Sequence, residues 1–256
     1  KVDKPNMAQK GTITVEKSGE VFFGVSVTGG TDEGGKELPT IYQPQYEKRG
    51  LPGAVYEIVA AEDIVTPDGT VRNTKGEVVD TVTTDENGVA KSRELYLGKY
   101  EVREITAPHG MVLNSEPHSV ELVYAGQNVA VTETATSFVN ERQTAEISLV
   151  KSLETNELFG IGTNGEMKNI SFGLYAAEEI VSVSGTSIPA DGLIEIIALN
   201  EDGTAKVKND LPLGSYYVKE LATDSHYILS DTKYPVVFEY AGQDTAVVKI
   251  AANDGK

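Results

Sequence analysis

Short stretches in which apolar and polar residues alternate recur along the chain, and most are bounded by glycine, proline or asparagine. In the stretch GKYEVREITAP, the alternation places Tyr100, Val102 and Glu104 on one face and Glu101 and Arg103 on the other. Asp-Gly and Asn-Gly pairs punctuate the chain, as in tight turns between strands, and long helical periodicity is missing. The pattern predicts an all-β protein in which the Glu104 carboxyl group points into an apolar interior.

The chain contains two copies of one sequence pattern. Four stretches recur in the same order about 115 residues downstream, an offset within the usual size of a domain. The matching pairs are VYEIVAAEDIV and SFGLYAAEEIV, DENGVAK and NEDGTAK, LGKYEVREI and LGSYYVKEL, and VYAGQ and EYAGQ. We therefore predict two tandem domains, residues 11–142 and 143–256, with residues 1–10 as a linker from a preceding module. An irregular, glycine-rich insert at about residues 18–50 distinguishes the first domain.

Composition narrows the classes of function. The formal charge of −17 argues against nucleic acid and anionic membranes as partners, because such surfaces repel an acidic protein. The absence of cysteine excludes disulfides, thiolate catalysis and cysteine metal sites. No stretch is long and apolar enough for membrane insertion. Acidic turns such as Asp85–Asn87 lack the ligand order of a calcium-binding EF-hand, so we expect neither a metal nor a cofactor.

Each copy carries a lysine, a glutamate and an asparagine in the same order. The opening strands, TITVEK and EISLVK, place both lysines on the apolar phase, and both glutamates lie on the apolar phase of a later strand. The asparagines end the closing strands, and Asn253 shares its phase with Lys249 and Ala251, opposite a more apolar face. The three positions are Lys17, Glu104 and Asn140 in the first copy and Lys151, Glu220 and Asn253 in the second.

These residue types in one apolar pocket fit a definite reaction. Burial disfavours charge, so a buried lysine tends towards a neutral, nucleophilic amine and a buried glutamate tends to stay protonated. The amine can attack the side-chain carbonyl of asparagine while the carboxyl group moves protons to the departing ammonia. The product is an amide that joins the first strand of a domain to its last. The competing interpretation is a buried Lys–Glu ion pair, or side chains that reach out to solvent at the strand ends.

The quoted stretches resemble a known family. The opening pattern I-x-V/L-x-K, the stretch LPGAVYEI, the pattern L-x-L-G-x-Y-x-V-x-E and the closing N-E/D are similar to tandem CnaB-type domains, also called SpaA-like or prealbumin-like. These domains occur in cell-surface adhesins and pilins of Gram-positive bacteria. The resemblance covers both copies and implies two β-sandwich domains of prealbumin-like, inverse immunoglobulin-like topology.

The resemblance also implies a function. Family members form Lys–Asn isopeptide bonds spontaneously with help from a Glu or Asp. By position this implies cross-links Lys17–Asn140 and Lys151–Asn253, with Glu104 and Glu220 as catalytic proton shuttles. The chain would then be a structural stalk segment of an extracellular, cell-wall-attached protein and not an enzyme with turnover. Neighbouring domains of the same polypeptide would be its partners, and its anchor would lie outside this segment.

Two other functions remain open from the sequence. The insert holds Tyr42 and Tyr46 with several polar groups, a composition suited to binding a host protein or glycan, and long loops often carry function. The chain would then be a ligand-binding adhesin module. A hydrolase is the third alternative, although no convincing nucleophile–base pair is found: Asp224, Ser225 and His226 are contiguous, unlike an assembled catalytic triad.

Overall fold

The computed structural model describes residues 7–252 and divides the chain into two compact units. Unit 1 contains the residues up to Glu20, Lys48–Arg142 and Gly242–Asp244, and unit 2 contains Val21–Glu47, Gln143–Ala241 and the residues from Thr245. Within the described residues, two short 3-10 helices, Glu157–Phe159 and Glu166–Asn169, accompany twenty strands. The strands are β1 Lys10–Thr31, β2 Glu37–Gly50, β3 Val55–Ala60, β4 Ile64–Val65, β5 Val71–Asn73, β6 Val78–Thr83, β7 Val89–Lys91, β8 Leu95–Tyr96, β9 Gly98–Thr106, β10 His118–Leu122, β11 Val131–Asn140, β12 Thr144–Val150, β13 Ser171–Ala176, β14 Ile180–Val181, β15 Ser187–Ile188, β16 Leu193–Ala198, β17 Thr204–Lys206, β18 Gly214–Ala222, β19 Lys233–Phe238 and β20 Val247–Ala251.

Unit 1 is a sandwich of two sheets. One sheet has the strand order β10-β9-β3-β6, and in the other β1 pairs in parallel with β11 and in an antiparallel manner with β7 and β8. The core draws side chains from both sheets, among them Ile13, Tyr56, Val102 and Phe138. The predicted alternation along β9 is confirmed, because its apolar phase is buried while Arg103 is exposed.

Unit 2 repeats this plan. Strand β12 pairs in parallel with β20 and in an antiparallel manner with β17, and the facing sheet contains β16-β13-β18-β19 with β2 paired to β16 at Ile41 and Leu193. Its core includes Ile147, Phe172, Tyr216 and Phe238, which again come from both sheets. Each copy therefore builds its own core, and the expectation of an all-β fold with two sandwich domains is confirmed.

Residues 18–50 require a correction, because they are not an irregular insert. They form most of the paired strands β1 and β2, and the intervening turn is closed by hydrogen bonds between Asp32 and Lys36. Residues 21–47 of this hairpin belong to unit 2, where the backbone oxygen of Phe22 accepts a hydrogen bond from the Val183 N–H at 3.1 Å. The hairpin is thus part of the second sandwich and not an appendage of the first domain. Within residues 7–252, no helix has the length and apolar character that crossing a membrane requires.

Candidate functional site

The sheet register of unit 1 brings the first predicted lysine and asparagine side by side. The parallel pairing of β1 with β11 aligns Lys17 with Phe138 and Gly19 with Asn140. Because alternate residues share a face, the Lys17 and Asn140 side chains both enter the core, where they are 1% and 3% exposed. Glu104 enters the same region from β9 of the facing sheet and is 4% exposed.

The three side chains form a closed contact set. The Lys17 Nζ atom lies 2.8 Å from Glu104 Oε1 and also contacts the Asn140 carbonyl oxygen, Oδ1. The Asn140 amide nitrogen, Nδ2, donates to both Glu104 oxygens, at 3.1 Å to Oε1 and 3.0 Å to Oε2. One carboxyl group therefore touches the amine at one side and the asparagine amide nitrogen at the other.

The surroundings are apolar and aromatic. The Tyr56 and Phe138 rings have their centroids 5.8 Å from Lys17 Nζ and 4.8 Å from each other. Burial lowers the pKa of Lys17, and the opposing effect of the neighbouring Glu104 does not cancel this shift. Burial, followed by the charge of Glu104, raises the pKa of Tyr56, whose hydroxyl group donates to Glu104 Oε1 at 3.4 Å. Burial thus shifts Lys17 towards the neutral amine, the form in which lysine is a nucleophile.

Two further groups hold the carboxyl group and were missed in the sequence. The Asn114 N–H donates to Glu104 Oε2 at 2.9 Å, and Tyr56 lies directly opposite Glu104 in the β3–β9 register. Asn114 is a loop residue without a strand pattern, and Tyr56 is indistinguishable from any other inward aromatic residue. Only the assembled sheet shows that both groups orient Glu104.

A glycine turn fixes the backbone of each lysine. The Lys17 N–H donates to the Gly88 carbonyl at 2.7 Å, and a Cβ atom on Gly88 would lie 2.3 Å from the Lys17 carbonyl oxygen and 2.6 Å from the Leu51 nitrogen. Gly203 repeats the arrangement in unit 2, where its carbonyl accepts from Lys151 N–H at 2.8 Å and a Cβ atom would lie 2.1 Å from the Lys151 oxygen. Both glycines have positive φ angles, +78° and +81°.

We expect Gly88→Ala to lower the free energy of unfolding of unit 1 by about 3 kcal/mol, since left-handed strain costs about 1–2 kcal/mol and backbone overlap adds to it. Gly69→Ala is the matched control, because Gly69 also has a positive φ of +80° but no heavy atom within 4 Å of the added Cβ. Denaturant unfolding of both variants measures the difference. Equal losses of stability in the two variants would contradict the inference that close packing of Gly88 fixes the Lys17 backbone.

Unit 2 contains a related but more open pair. Lys151 Nζ lies 3.1 Å from Glu220 Oε1, and the Ser230 N–H donates to Glu220 Oε2 at 2.9 Å, as Asn114 does in unit 1. The Lys151 side chain is 27% exposed, whereas that of Glu220 is 1% exposed. Phe172 is the register partner of Glu220, so the position of the Tyr56 hydroxyl group has no counterpart. A cavity of about 250 Å³ lies beside Lys151, Glu220 and Ser230.

The remaining predicted site residues are placed as follows. Asn253 lies outside the described residues; Lys249 and Ala251 of β20 are exposed, whereas Ala252, directly after that strand, is buried. Tyr42 and Tyr46 are half-buried: Tyr42 packs against the core of unit 2, and the Tyr46 ring lies 6.2 Å from that of Phe22. Both tyrosines thus contribute to the packing of the hairpin. Among residues 7–252, no group of three or more histidine, aspartate or glutamate side chains is arranged to hold a metal ion.

Comparisons with known proteins give a coherent result. The family model of the SpaA prealbumin-like fold domain matches residues 43–137 and again residues 160–254. The chain is 27% identical over 144 residues to the trypsin-resistant surface T6 protein of Streptococcus pyogenes serotype M6; this match covers 56% of the chain and 26% of that protein. The Bacillus anthracis TIE protein superposes with a TM-score of 0.55 at 20% identity over 95% of the chain and 33% of its own. Shaft pilin SpaA from Lactobacillus rhamnosus GG gives a TM-score of 0.33 at 13% identity, covering 95% of the chain and 98% of its own. The chain therefore spans about a quarter of the streptococcal relative and a third of the TIE protein.

Proposed function

The chain belongs to the family of SpaA prealbumin-like fold domains, and on that premise we propose that it is a stalk segment of a Gram-positive surface adhesin or pilin-like protein whose domains are cross-linked internally. The family has a structural pilin fold and is not an enzyme family. The observation that supports the cross-link is the set of contacts in unit 1, where one buried carboxyl group touches both the amine and the asparagine amide nitrogen.

The proposed reaction needs no external reagent. Lys17 Nζ attacks the Asn140 side-chain carbonyl carbon, a C–N bond forms, and the bond from that carbon to Nδ2 breaks. Glu104 takes a proton from the attacking amine and delivers a proton to Nδ2, which leaves as ammonia. Fixed proximity in the closed core supplies the acceleration, as in other well-oriented intramolecular reactions. The reaction happens once in each molecule, so it produces a modified protein and no turnover.

The cross-link explains how such a stalk withstands tension. It joins the first strand of unit 1 to its last, two positions 123 residues apart. Tension that enters a tandem chain at one terminal strand then leaves through the covalent bond without unfolding the sandwich. The bond also closes most of the unit into one loop, which lowers the entropy of the unfolded chain as a long-range disulfide does. A chain without cysteine gains in this way the stability of a covalent closure.

The second cross-link, Lys151–Asn253, is part of the proposal. It is supported by the Lys151–Glu220 contact and by the shared Ser230 and Asn114 geometry. We also propose a location at the Gram-positive cell surface with attachment to the cell wall; the similarity to a streptococcal surface protein supports the surface location. The placement of Tyr42 and Tyr46 in the packing of unit 2 favours a structural role for the hairpin over the alternative of a binding site for a host protein or glycan.

Intact-mass spectrometry of the denatured chain tests the proposal. We expect a mass below that of the unmodified sequence by one ammonia for each cross-link, with peptide mapping locating the first bond between Lys17 and Asn140. In Lys17→Ala we expect the mass deficit, relative to that variant's own sequence, to be smaller by one ammonia. The control Lys91→Ala should keep the full deficit, because Lys91 forms an exposed ion pair with Glu133 and is 52% exposed. A parent chain with the mass of the unmodified sequence would refute the cross-links.

A further inference from the structure

Unit 1 includes a short segment from far along the sequence, Gly242–Asp244. The Gln243 side-chain oxygen accepts a hydrogen bond from the Ala107 N–H at 2.9 Å, and its backbone oxygen accepts from the Leu113 N–H at 2.9 Å. Its side-chain nitrogen donates to the Ile105 carbonyl at 3.4 Å. We call the backbone groups of Ile105, Ala107 and Leu113 the loop-binding surface of unit 1. One glutamine therefore satisfies three main-chain groups without any charge.

Unit 2 has the same framework at the positions 116 residues later, the offset between Glu104 and Glu220. There the loop-binding surface consists of Leu221, Thr223 and Leu229. The loop after β18 repeats two backbone hydrogen bonds of its counterpart after β9: a backbone N–H binds the buried glutamate at 2.9 Å in both units, and the Tyr227 N–H donates to the Asp224 oxygen as the Met111 N–H does to the Pro108 oxygen. The local fold that presents the surface is thus repeated.

The two surfaces differ in what covers them. In unit 1, Val112 and Leu113 are half-buried, and the Val112 N–H donates to the Glu141 oxygen at 2.9 Å. Their counterparts in unit 2 are open, with Ile228 95% exposed and Leu229 51% exposed. Among the described residues, none forms a backbone hydrogen bond with Leu229, and Asp254, the counterpart of Glu141, lies outside them. Adjacent exposed aliphatic residues beside a preformed backbone surface indicate a docking site.

The segment that occupies the unit 1 surface comes from a loop that the chain contains twice. The second loop is held at its base by Gln143, which accepts from the Ala241 N–H at 2.8 Å and donates to the Thr245 oxygen at 2.6 Å. The first loop, Ala125–Gln127, is held by Gln9, which accepts from the Ala125 N–H at 3.0 Å and donates to the Gly126 oxygen at 3.1 Å. Its glutamine, Gln127, is exposed. Each copy therefore presents an Ala-Gly-Gln loop whose conformation is already fixed by a glutamine at its base.

We propose that the loop-binding surface of unit 2 binds the Ala-Gly-Gln loop of a further prealbumin-like module that follows in the same polypeptide. The glutamine side chain bonds to the Thr223 N–H and the Leu221 carbonyl, its backbone oxygen accepts from the Leu229 N–H, and the incoming chain covers Ile228. A tethered module is the expected partner, because copies with a net charge of −17 repel each other in solution while a short linker supplies a millimolar effective concentration. The inference rests on the proposed stalk function only in requiring a further module.

A duplicated chain provides the test. Residues 1–255 of a first copy are joined to residues 9–256 of a second, so that Gly255 is followed directly by Gln9, which reproduces the spacing Asn140-Glu141-Arg142-Gln143 of the natural junction. Amide hydrogen exchange is then measured at Thr223 and Leu229 of the first copy. We expect exchange at least about tenfold slower than in the single chain. Unchanged exchange at these amides would refute the docking site.

A matched variant identifies the occupant. Gln127→Ala in the second copy removes the glutamine but leaves the fold intact, because Gln127 is exposed. We expect it to restore fast exchange at Thr223 and Leu229, while the Ala107 and Leu113 amides of the first copy stay protected by Gln243. Slow exchange that survives Gln127→Ala would refute the loop as the ligand. The intact mass of the same sample reports the cross-links separately, so loss of ammonia without protection counts only against this inference.

Discussion

Asn140→Ala is expected to lower the free energy of unfolding of unit 1 by about 5 kcal/mol and its melting temperature by more than about 10 °C. The proposed bond closes a loop of about 120 residues, and chain-entropy arguments assign somewhat under 5 kcal/mol to a closure of that size. Denaturant unfolding of the full chain, with the unit 1 transition followed by hydrogen exchange, measures the change.

The dependence on denaturant separates a covalent bond from a buried ion pair. A cross-link keeps the unfolded chain compact, so its removal exposes more surface on unfolding and raises the slope of stability against denaturant. If Lys17 and Glu104 form only an ion pair, Asn140→Ala leaves that pair in place and costs about 1–3 kcal/mol for the lost hydrogen bonds. If Asn140→Ala has the same denaturant slope as the parent chain, and the parent chain has the mass of its unmodified sequence, the result would support the ion pair and contradict the bond.

The alternation of residues was sufficient to predict that Glu104 enters the core of unit 1, but not which groups support it there. Along β9 the pattern correctly predicted a buried Glu104, because a period of two fixes which side chains share a face. The packing of Gly88 against the Lys17 backbone could not be predicted from the sequence, since Asn87-Gly88 has the composition of an ordinary hairpin turn. Its role depends on the close approach of the Lys17 backbone, which only the assembled sheet creates.

The hairpin of β1 and β2 was mispredicted for a different physical reason. Much of residues 27–40 is exposed on both faces, so no alternation indicates a strand, and the glycines suggested an irregular loop. Pairing of β1 with β2, and the parallel contact of Ile41 with Leu193, stabilise these strands through backbone hydrogen bonds that carry no sequence pattern. Tertiary pairing overrides local propensity in such ribbons.

Glu104→Gln is expected to stop the reaction at the first site, so that the chain regains the mass of one ammonia. Glutamine preserves the size of the side chain and some hydrogen bonds, but it cannot accept a proton from Lys17 and pass it to Asn140 Nδ2. The control Glu57→Gln removes an exposed-side partner of Arg103, 2.7 Å away on the same sheet, and should leave the mass loss unchanged. Complete ammonia loss in Glu104→Gln would refute the role of the carboxyl group as proton shuttle.

The same variant has a stability signature with a definite sign. Without Glu104 the buried Lys17 ammonium has no counter-charge, so Glu104→Gln should be about 3–5 kcal/mol less stable at pH 7 than Asn140→Ala, which also lacks the bond but keeps the ion pair. Burial lowers the pKa of Lys17, and removing the carboxylate lowers this pKa further. The folded state then binds fewer protons than the unfolded state below the ordinary lysine pKa of about 10.4, so stability rises with pH up to that value. The free energies of unfolding of the two variants, measured between pH 7 and 10, should therefore converge as pH rises. Parallel curves of stability against pH would contradict a buried, unpaired amine.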